Sequence, residues 1–306
     1  FSGVNPFKLG MIGGTDDHNG TPGNTVEETF QGHAGNDDAP LARMIGGIYR
    51  GPGSLAVVWA EENSRDSIFA AMRRKETYAT SGTRPLLRFF GGWVFDTTPG
   101  KLCSDPNRVA QGYGGGVPMG SDLPPIQEGR NPRFLAAALK DPGTEGNPGT
   151  PLQRIQIVKG WVDAEGNTHE SVLNAVGNTS LSGNELNTDT CETNQNAGFH
   201  ELCTVWEDTD FDPSLPAFYY ARLLENPSCR WNTYACREAD VDPFLSPAEC
   251  QAKATAANAK AVMEGIISPG DQPFNNCCLN ETNDPFMART IQERAWSSPI
   301  WYVPGS

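Results

Sequence analysis

The sequence predicts an α/β plus all-β protein, in which the last strands and one helix of a distorted β/α barrel precede an antiparallel β-sandwich. Three observations support this fold class. Strand, acidic turn and capped helix follow one another near the start of the chain. Strand and turn signals then alternate with few helix signals, and most cysteines lie in a polar C-terminal part. We therefore expect a barrel part at 1–80 and an accessory sandwich with long, disulfide-linked loops at 81–306.

The barrel part contains two short apolar runs, which we interpret as buried, parallel strands. Residues 9–14 form the first run and residues 55–60 the second, and each is bounded by glycine or polar residues. Asn63 or Ser64 can then cap a helix that continues to about Lys75, where basic residues suit the helix dipole. A strand, a turn and a capped helix make one β/α unit.

From Thr77 onward, short strand-like runs alternate with loops rich in Gly, Pro and Asn. Helix signals are sparse there, which favours an antiparallel sandwich. One helix is predicted from Ser246 to about Gly265, because Ser246-Pro247-Ala248-Glu249 is a capping box with proline at the first helical position. The predicted strands are 77–80, 86–95, 134–139, 155–162, 217–224 and 299–303.

Charge and length exclude some classes of function. The 306 residues include 23 Lys and Arg against 37 Asp and Glu, a net charge of −14, so binding to nucleic acid or to an anionic membrane is not expected. No apolar stretch is long enough to span a bilayer. Because the first predicted strand enters a candidate site so close to Phe1, we expect this chain to be the C-terminal part of a longer polypeptide.

The eight cysteines predict disulfides rather than a zinc site, because none forms a Cys-x-x-Cys pair. Several bracket loops, as in proteins of an oxidising compartment, so a periplasmic or secreted location is expected. Neighbouring Cys277 and Cys278 should bond to different partners, since a ring between adjacent cysteines strains the disulfide. The pairing itself stays open at this point.

A candidate metal site follows the first predicted strand, at Thr15-Asp16-Asp17-His18-Asn19-Gly20. Asp16 and His18 are two residues apart, so on an extended backbone their side chains leave on the same face and can converge on one cation. Carboxylate and imidazole are common ligands of divalent metals. The alternative is a turn capped by Asp16, with His18 half exposed.

Further candidates lie in the long polar segment 19–53, which contains His33 and the acids Glu27, Glu28, Asp37 and Asp38. His33 is a candidate proton donor or substrate contact, and the alternative is a solvated loop histidine.

We predict substrate contacts for Asn19, Glu61, Glu62 and Arg84. Glu61 or Glu62 could also orient His18 or carry a proton, although acids before a helix commonly serve only the dipole. Arg84 could bind a phosphate or form a structural ion pair.

Several blocks resemble the bacterial family that carries domain of unknown function 3604. Two of them are Gly13-Gly14-Thr15-Asp16-Asp17-His18-Asn19-Gly20-Thr21-Pro22-Gly23 and Trp59-Ala60-Glu61-Glu62-Asn63-Ser64-Arg65. The resemblance extends over nearly the whole chain. Its other blocks are 74–84, 88–93, 116–120, 138–142, 154–161, 217–222 and 291–302.

That family resembles the polymerase-and-histidinol-phosphatase (PHP) superfamily of β/α barrels, which hydrolyse phosphoesters at two- or three-metal clusters. Gly14-Thr15-Asp16-Asp17-His18 is similar to the late Gly-Ser-Asp-x-His motif of those enzymes, which implies metal ligation by Asp16 and His18. The early His-x-His motif has no match here. The resemblance thus implies that the N-terminal part of the same polypeptide supplies the other ligands.

Two functions are expected from these observations. The first is a metal-dependent hydrolase, most simply a phosphoesterase acting on a small phosphate ester with divalent Zn, Mn or Fe. The alternative is a non-catalytic, disulfide-linked extracellular binding or structural β module that contains a structural ion or none.

Overall fold

The structure, a computed structural model, describes residues 5, 7–35, 41, 43–44, 50–127, 129–279 and 288–305. Its strands are β1 Leu55–Val58, β2 Thr77–Thr80, β3 Leu86–Gly92, β4 Gly116–Pro118, β5 Arg133–Leu139, β6 Leu152–Val162, β7 Thr168–Gly177, β8 Glu201–Glu207, β9 Ala217–Cys229, β10 Thr290–Ser297 and β11 Ile300–Tyr302. The helices are α1 Arg65–Arg73, α2 Arg108–Gly115, α3 Trp231–Glu238 and α4 Pro247–Met263, with short 3-10 helices at Glu27–Thr29 and Pro273–Cys278.

Two antiparallel sheets form the framework. The larger sheet has the strand order β1-β2-β10-β9-β6-β7, and β11 also pairs with β9 beyond the end of β10. The smaller sheet has the order β4-β3-β5-β8. Strands from before and after residue 80 therefore belong to the same larger sheet.

The main core lies between the facing sides of the two sheets. Phe89 and Phe134 of the smaller sheet are fully buried and stack with ring centroids 5.5 Å apart. The Phe134 ring also contacts the Tyr219 ring of β9 across the sandwich, with centroids 4.3 Å apart. Alternate residues of β6 and β9 complete this core, as a sheet with one inward face requires.

The predicted barrel is wrong: no β/α barrel is formed by the described residues, and the pairings between named strands in both sheets are antiparallel. Residues 9–14 are not a strand, and Leu9 and Ile12 are 65% and 62% exposed. Single hydrogen bonds, rather than a strand ladder, attach this segment to the sheet. One of them runs from Thr77 Oγ1 to the Met11 carbonyl at 2.8 Å. Its apolar composition alone did not determine whether a neighbouring strand would cover it.

The sandwich strands and the capped helices of the prediction are present. Helix α1 begins after Ser64, whose hydroxyl accepts a hydrogen bond from Ser67 N. Helix α4 begins after Ser246, which accepts from Glu249 N as a capping box requires. In the described part of the chain, no helix has the length and apolar character needed to cross a membrane.

Four disulfides are present, and Cys277 and Cys278 bond to different partners as predicted. The pairs are Cys103–Cys203, Cys191–Cys229, Cys236–Cys277 and Cys250–Cys278. The last two link the 3-10 helix at Pro273–Cys278 to α3 and α4. Together with Trp231, Phe274, Phe30 and Met44 they form a second buried cluster, which we call the C-terminal core.

Candidate functional site

The backbone before Asp16 is fixed by a close contact with the segment that leads into β1. Ser54 N donates a hydrogen bond to the Gly14 carbonyl at 3.1 Å. Gly53 has φ +93°, and a Cβ at this position would lie 2.7 Å from Thr15 Cα. Thr15 is buried, whereas Asp16, which follows it, is exposed. Glycine is needed at 53 both for the left-handed backbone and for this approach.

Asp16 and His18 do converge. His18 Nε2 lies 3.3 Å from Asp16 Oδ1, and the two side chains are 68% and 92% exposed. Asp16 has φ +56°, which aspartate tolerates better than most residues. The convergence therefore comes from a left-handed turn at Asp16 rather than from the extended backbone that the sequence suggested. Asp17 lies between them in the sequence, and its carboxylate accepts a hydrogen bond from Thr21 Oγ1 at 3.0 Å.

His33 and Asn19 lie beside this pair. His18 N donates to the His33 carbonyl at 2.8 Å, and Asn19 Nδ2 donates to the Gly32 carbonyl at 2.9 Å. The His33 ring is partly buried, and its Nε2 is 2.9 Å from the Gly51 carbonyl. Because a carbonyl can only accept, that nitrogen carries the proton. The loop thus brings the backbone of His33 next to His18, while its ring packs against Phe30.

Glu61 and Glu62 are not brought to this site. Met11 lies beside Thr77, which is paired with Val58 at the end of β1, whereas Gly14 lies beside Ser54 at its start. Residues 11–14 therefore run antiparallel to β1. Glu61 and Glu62 follow the far end of β1, roughly 10 Å or more from Asp16 by strand geometry. There both backbone N–H groups donate to Ser67 Oγ in the first turn of α1.

Arg84 makes structural contacts. Its Nη2 donates to the Gly23 carbonyl at 2.9 Å, and its backbone N donates to Asp141 Oδ2 at 2.7 Å. The side chain thus links the loop after Asn19 to the start of β3. Asp37 and Asp38, the other acids named in this loop, lie outside the described residues.

The donor set suits part of a metal centre. One carboxylate and one imidazole point the same way into solvent, as two ligands of a divalent ion would. However, no group of three His, Cys, Asp or Glu side chains within the described ranges could bind a metal ion together. Asp16 and His18 are thus two candidate ligands, and a metal site built on them would need at least one more.

Sequence reasoning missed a cluster of carboxylates, which we call the glutamate cluster: Glu225 and Glu293, which are buried, and Glu27, which is half-buried. Burial raises the pKa of Glu225 to about 8, and repulsion from Glu293 adds to the shift. Burial also raises the pKa of Glu293 to about 7. The pKa of Glu27 is raised to about 8, again chiefly by burial and then by Glu293.

The glutamate cluster lies where the larger sheet is irregular. The register between β10 and β9 shifts between Gln292 and Arg294, and Glu225 and Glu293 occupy the two sides of this bulge. Thr83 Oγ1 donates to Glu225 Oε1 at 2.9 Å, and Ser81 Oγ donates to Glu293. Bulges often accompany functional sites. A sequence signal existed. Glu225 lies two residues after the inward-facing Leu223 in β9, and Glu293 likewise occupies an inward-facing position of β10.

Glu27 joins the candidate site to the C-terminal core. Its carboxylate accepts a hydrogen bond from Trp231 N at the start of α3. Nearby, the Trp231 ring meets the Phe30 ring at 6.0 Å, and Phe30 contacts the His33 ring at 5.0 Å. Arg230 donates to the Arg50 carbonyl at 2.7 Å. The loop that carries His33 is therefore positioned by residues some 200 positions later in the chain.

Gly53→Ala is expected to disturb the site. The added methyl overlaps Thr15 and the backbone is left-handed, so we expect a loss of about 2 kcal/mol in unfolding free energy. Amide hydrogen exchange at Ser54 should become faster, because its bond to Gly14 is displaced.

Gly51→Ala is the matched control, since no atom lies within 4 Å of the place that the added methyl would occupy. It should change neither stability nor exchange by a measurable amount. Equal behaviour of the two variants would contradict the role assigned to Gly53.

Comparison with known proteins gives one match. The model of a family described as "Protein of unknown function (DUF3604)" matches residues 1–257 of the chain. No curated protein and no solved structure matches it.

Proposed function

This chain belongs to the DUF3604 family, and from that premise we propose that it is a metal-dependent hydrolase, most simply a phosphoesterase. The observation that carries the proposal is the convergence of His18 Nε2 and Asp16 Oδ1, 3.3 Å apart and both exposed. We propose with it a relationship to the PHP superfamily, on the similarity of Gly14-Thr15-Asp16-Asp17-His18 to that superfamily's late metal-binding motif.

Asp16 and His18 would bind a divalent ion, with Zn, Mn and Fe as candidates. Such an ion lowers the pKa of a bound water towards neutrality and neutralises negative charge on a phosphoryl group. The protein fixes both ligands through the backbone: Gly53 positions Thr15 before Asp16, and the His33 carbonyl accepts from His18 N. Asn19, which follows His18, is held by the hydrogen bond from its Nδ2 to the Gly32 carbonyl. The ligands are thus arranged before an ion binds.

The remaining ligands are proposed to come from the N-terminal part of the same polypeptide. Several large apolar side chains in the first part of the chain are exposed, which favours contact with further protein. Leu9 and Ile12 are 65% and 62% exposed, and Phe69 and Met72 of α1 are 60% and 47% exposed.

A periplasmic or secreted location is part of the proposal. All eight cysteines are paired in four disulfides, which persist in oxidising compartments and are rare in reducing ones.

Metal binding by the natural full-length protein tests the hydrolase proposal. We expect elemental analysis to find two or three transition-metal ions per chain, and Asp16→Asn or His18→Ala to remove at least one of them. Asn tolerates the left-handed backbone of Asp16, so Asp16→Asn changes the ligand without disturbing the turn. Hydrolysis of p-nitrophenyl phosphate should fall at least 100-fold in either variant and after chelation.

His200→Ala is the control, because this histidine is exposed and its ring forms a hydrogen bond with a backbone carbonyl, that of Gln195, at 3.4 Å. It should leave metal content and hydrolysis unchanged. Full metal content in both site variants, or hydrolysis that is insensitive to chelation, would overturn the proposal.

A second candidate function is a non-catalytic extracellular binding module. A large cavity lined by aromatic side chains, at the other end of the larger sheet, favours it. On this alternative, the same elemental analysis should find calcium or at most one ion.

A further inference from the structure

A cavity of about 850 Å³ lies against the outer face of the larger sheet. It is bordered by the end of β6, the start of β7, the start of β9, and β11. This volume is typical of ligand sites in proteins. The cavity includes none of Asp16, His18 and His33, so it is separate from the candidate metal site.

Two aromatic side chains form one wall of the cavity, which we call the aromatic wall: Phe218 and Trp301. They are direct partners in the pairing of β9 with β11, and their ring centroids are 5.2 Å apart. The Phe218 ring lies over Gly160 of the neighbouring strand β6, where a Cβ would come within 2.3 Å of Phe218 Cζ. The missing side chain at 160 thus leaves room for the Phe218 ring beside the backbone of β6, at the border of the cavity.

Polar side chains surround the aromatic wall, and they supply both donors and acceptors. On one side, Lys8 Nζ pairs with Asp122 Oδ1 at 2.7 Å. On the other, the His169 ring and the exposed Glu170 carboxylate border the cavity. Asp163 Oδ2 orients His169 from 2.7 Å. Lys8 and His169 are each paired with an aspartate, whereas Glu170 adds a further negative charge. The net charge at the border of the cavity is therefore neutral to negative.

We propose that this cavity binds a neutral carbohydrate, with one pyranose ring stacked on the aromatic wall. The C–H face of a sugar ring packs on aromatic carbon, and its hydroxyls both donate and accept, so they can use Asp122 and Glu170 as well as Lys8 and His169. An anionic ligand would be repelled by Glu170 and by the net charge of −14. A polyproline peptide has no backbone N–H to donate and would leave the Glu170 carboxylate without a donor.

Binding of defined oligosaccharides tests the proposal. The intact protein would be titrated by calorimetry and tryptophan fluorescence with cellohexaose, laminarihexaose, mannohexaose and xylohexaose. We expect saturable binding of at least one of them, with a change in tryptophan emission. Phe218→Ala should weaken that binding at least tenfold by removing half of the aromatic wall, and Glu170→Gln should weaken it several-fold. Glu170 is exposed, so this second variant leaves the fold intact.

Phe69→Ala is the control, since Phe69 is an exposed aromatic residue on α1 and does not border the cavity. It should bind as the unmodified protein does. Lack of binding for all four sugars, unchanged binding by both cavity variants, or preferential binding of phenyl phosphate or tetraproline would overturn the carbohydrate assignment. Metal content is a separate readout, so this result and the hydrolase result can fail independently.

Discussion

Glu225→Gln should stabilise the protein above neutral pH and remove much of its loss of stability on going from pH 5 to pH 8. Glu225 is fully buried, and its folded pKa of about 8 lies above the ordinary value of 4.5. In this range the unfolded carboxyl is ionised while the folded one retains its proton. Unfolding therefore releases a proton, and raising the pH favours it.

The expected size follows from the same linkage. The free energy of unfolding falls by about 1.4 kcal/mol per pH unit for each proton that unfolding releases. Glu225 alone therefore lowers it by on the order of 3 kcal/mol between pH 5 and pH 8. The loss levels off above the folded pKa. Gln resembles the protonated acid and can still accept from Thr83 Oγ1, so the variant should match the unmodified protein near pH 4.

Urea unfolding at a series of pH values measures this effect. Glu264→Gln is the control, because Glu264 is exposed at the end of α4 and should leave the pH profile unchanged. Glu27 and Glu293 also have raised pKa values, so a weaker slope should persist in Glu225→Gln. Parallel profiles for Glu225→Gln and the unmodified protein would show that Glu225 is ionised in the folded state.

The double variant Cys236→Ser, Cys277→Ser should have the largest effect on both stability and the candidate site. This disulfide closes a separation of 41 residues, and its loss should cost about 2 to 5 kcal/mol. Both cysteines belong to the C-terminal core, which contains Trp231 and Phe30. Loosening that core should release the loop that carries His33.

Hydrogen exchange at the His18 amide reports this release, because that amide donates to the His33 carbonyl. Exchange should accelerate well below the denaturant concentration that unfolds the sandwich. Cys103→Ser, Cys203→Ser is the matched control: it removes a disulfide at the smaller sheet, where Phe90 and Leu135 pack. That variant should lower global stability and leave local protection of His18 intact. Equal loss of protection in both variants would contradict the link.

Much of the sandwich was predictable from sequence because its strands have a strong local signal. Short strand-like runs between loops rich in Gly, Pro and Asn located β6 and β9, and the capping box at Ser246 located α4 to within a few residues. The barrel prediction failed at residues 9–14, where an apolar run gave no information on its partners. Strand direction was the critical error, since parallel pairing would have brought Glu61 and Glu62 towards Asp16.

The candidate site was predictable in composition but not in conformation. The spacing of Asp16 and His18 indicated convergence, yet the left-handed turn at Asp16 depends on Gly53, which is distant in sequence. The disulfide pairing could not be derived, because eight cysteines allow 105 pairings and spacing does not rank them. The glutamate cluster was accessible in principle, through charged residues at inward positions of β9 and β10.

The hydrogen bond between Glu27 and Trp231 has a consequence for biosynthesis. It joins residues 204 positions apart, so the early loop cannot adopt its final arrangement until most of the chain has left the ribosome. The helix that begins at Trp231 is in turn secured by Cys236–Cys277. Under reducing conditions this disulfide would not form, and the loop around Glu27 would lose the support of that helix.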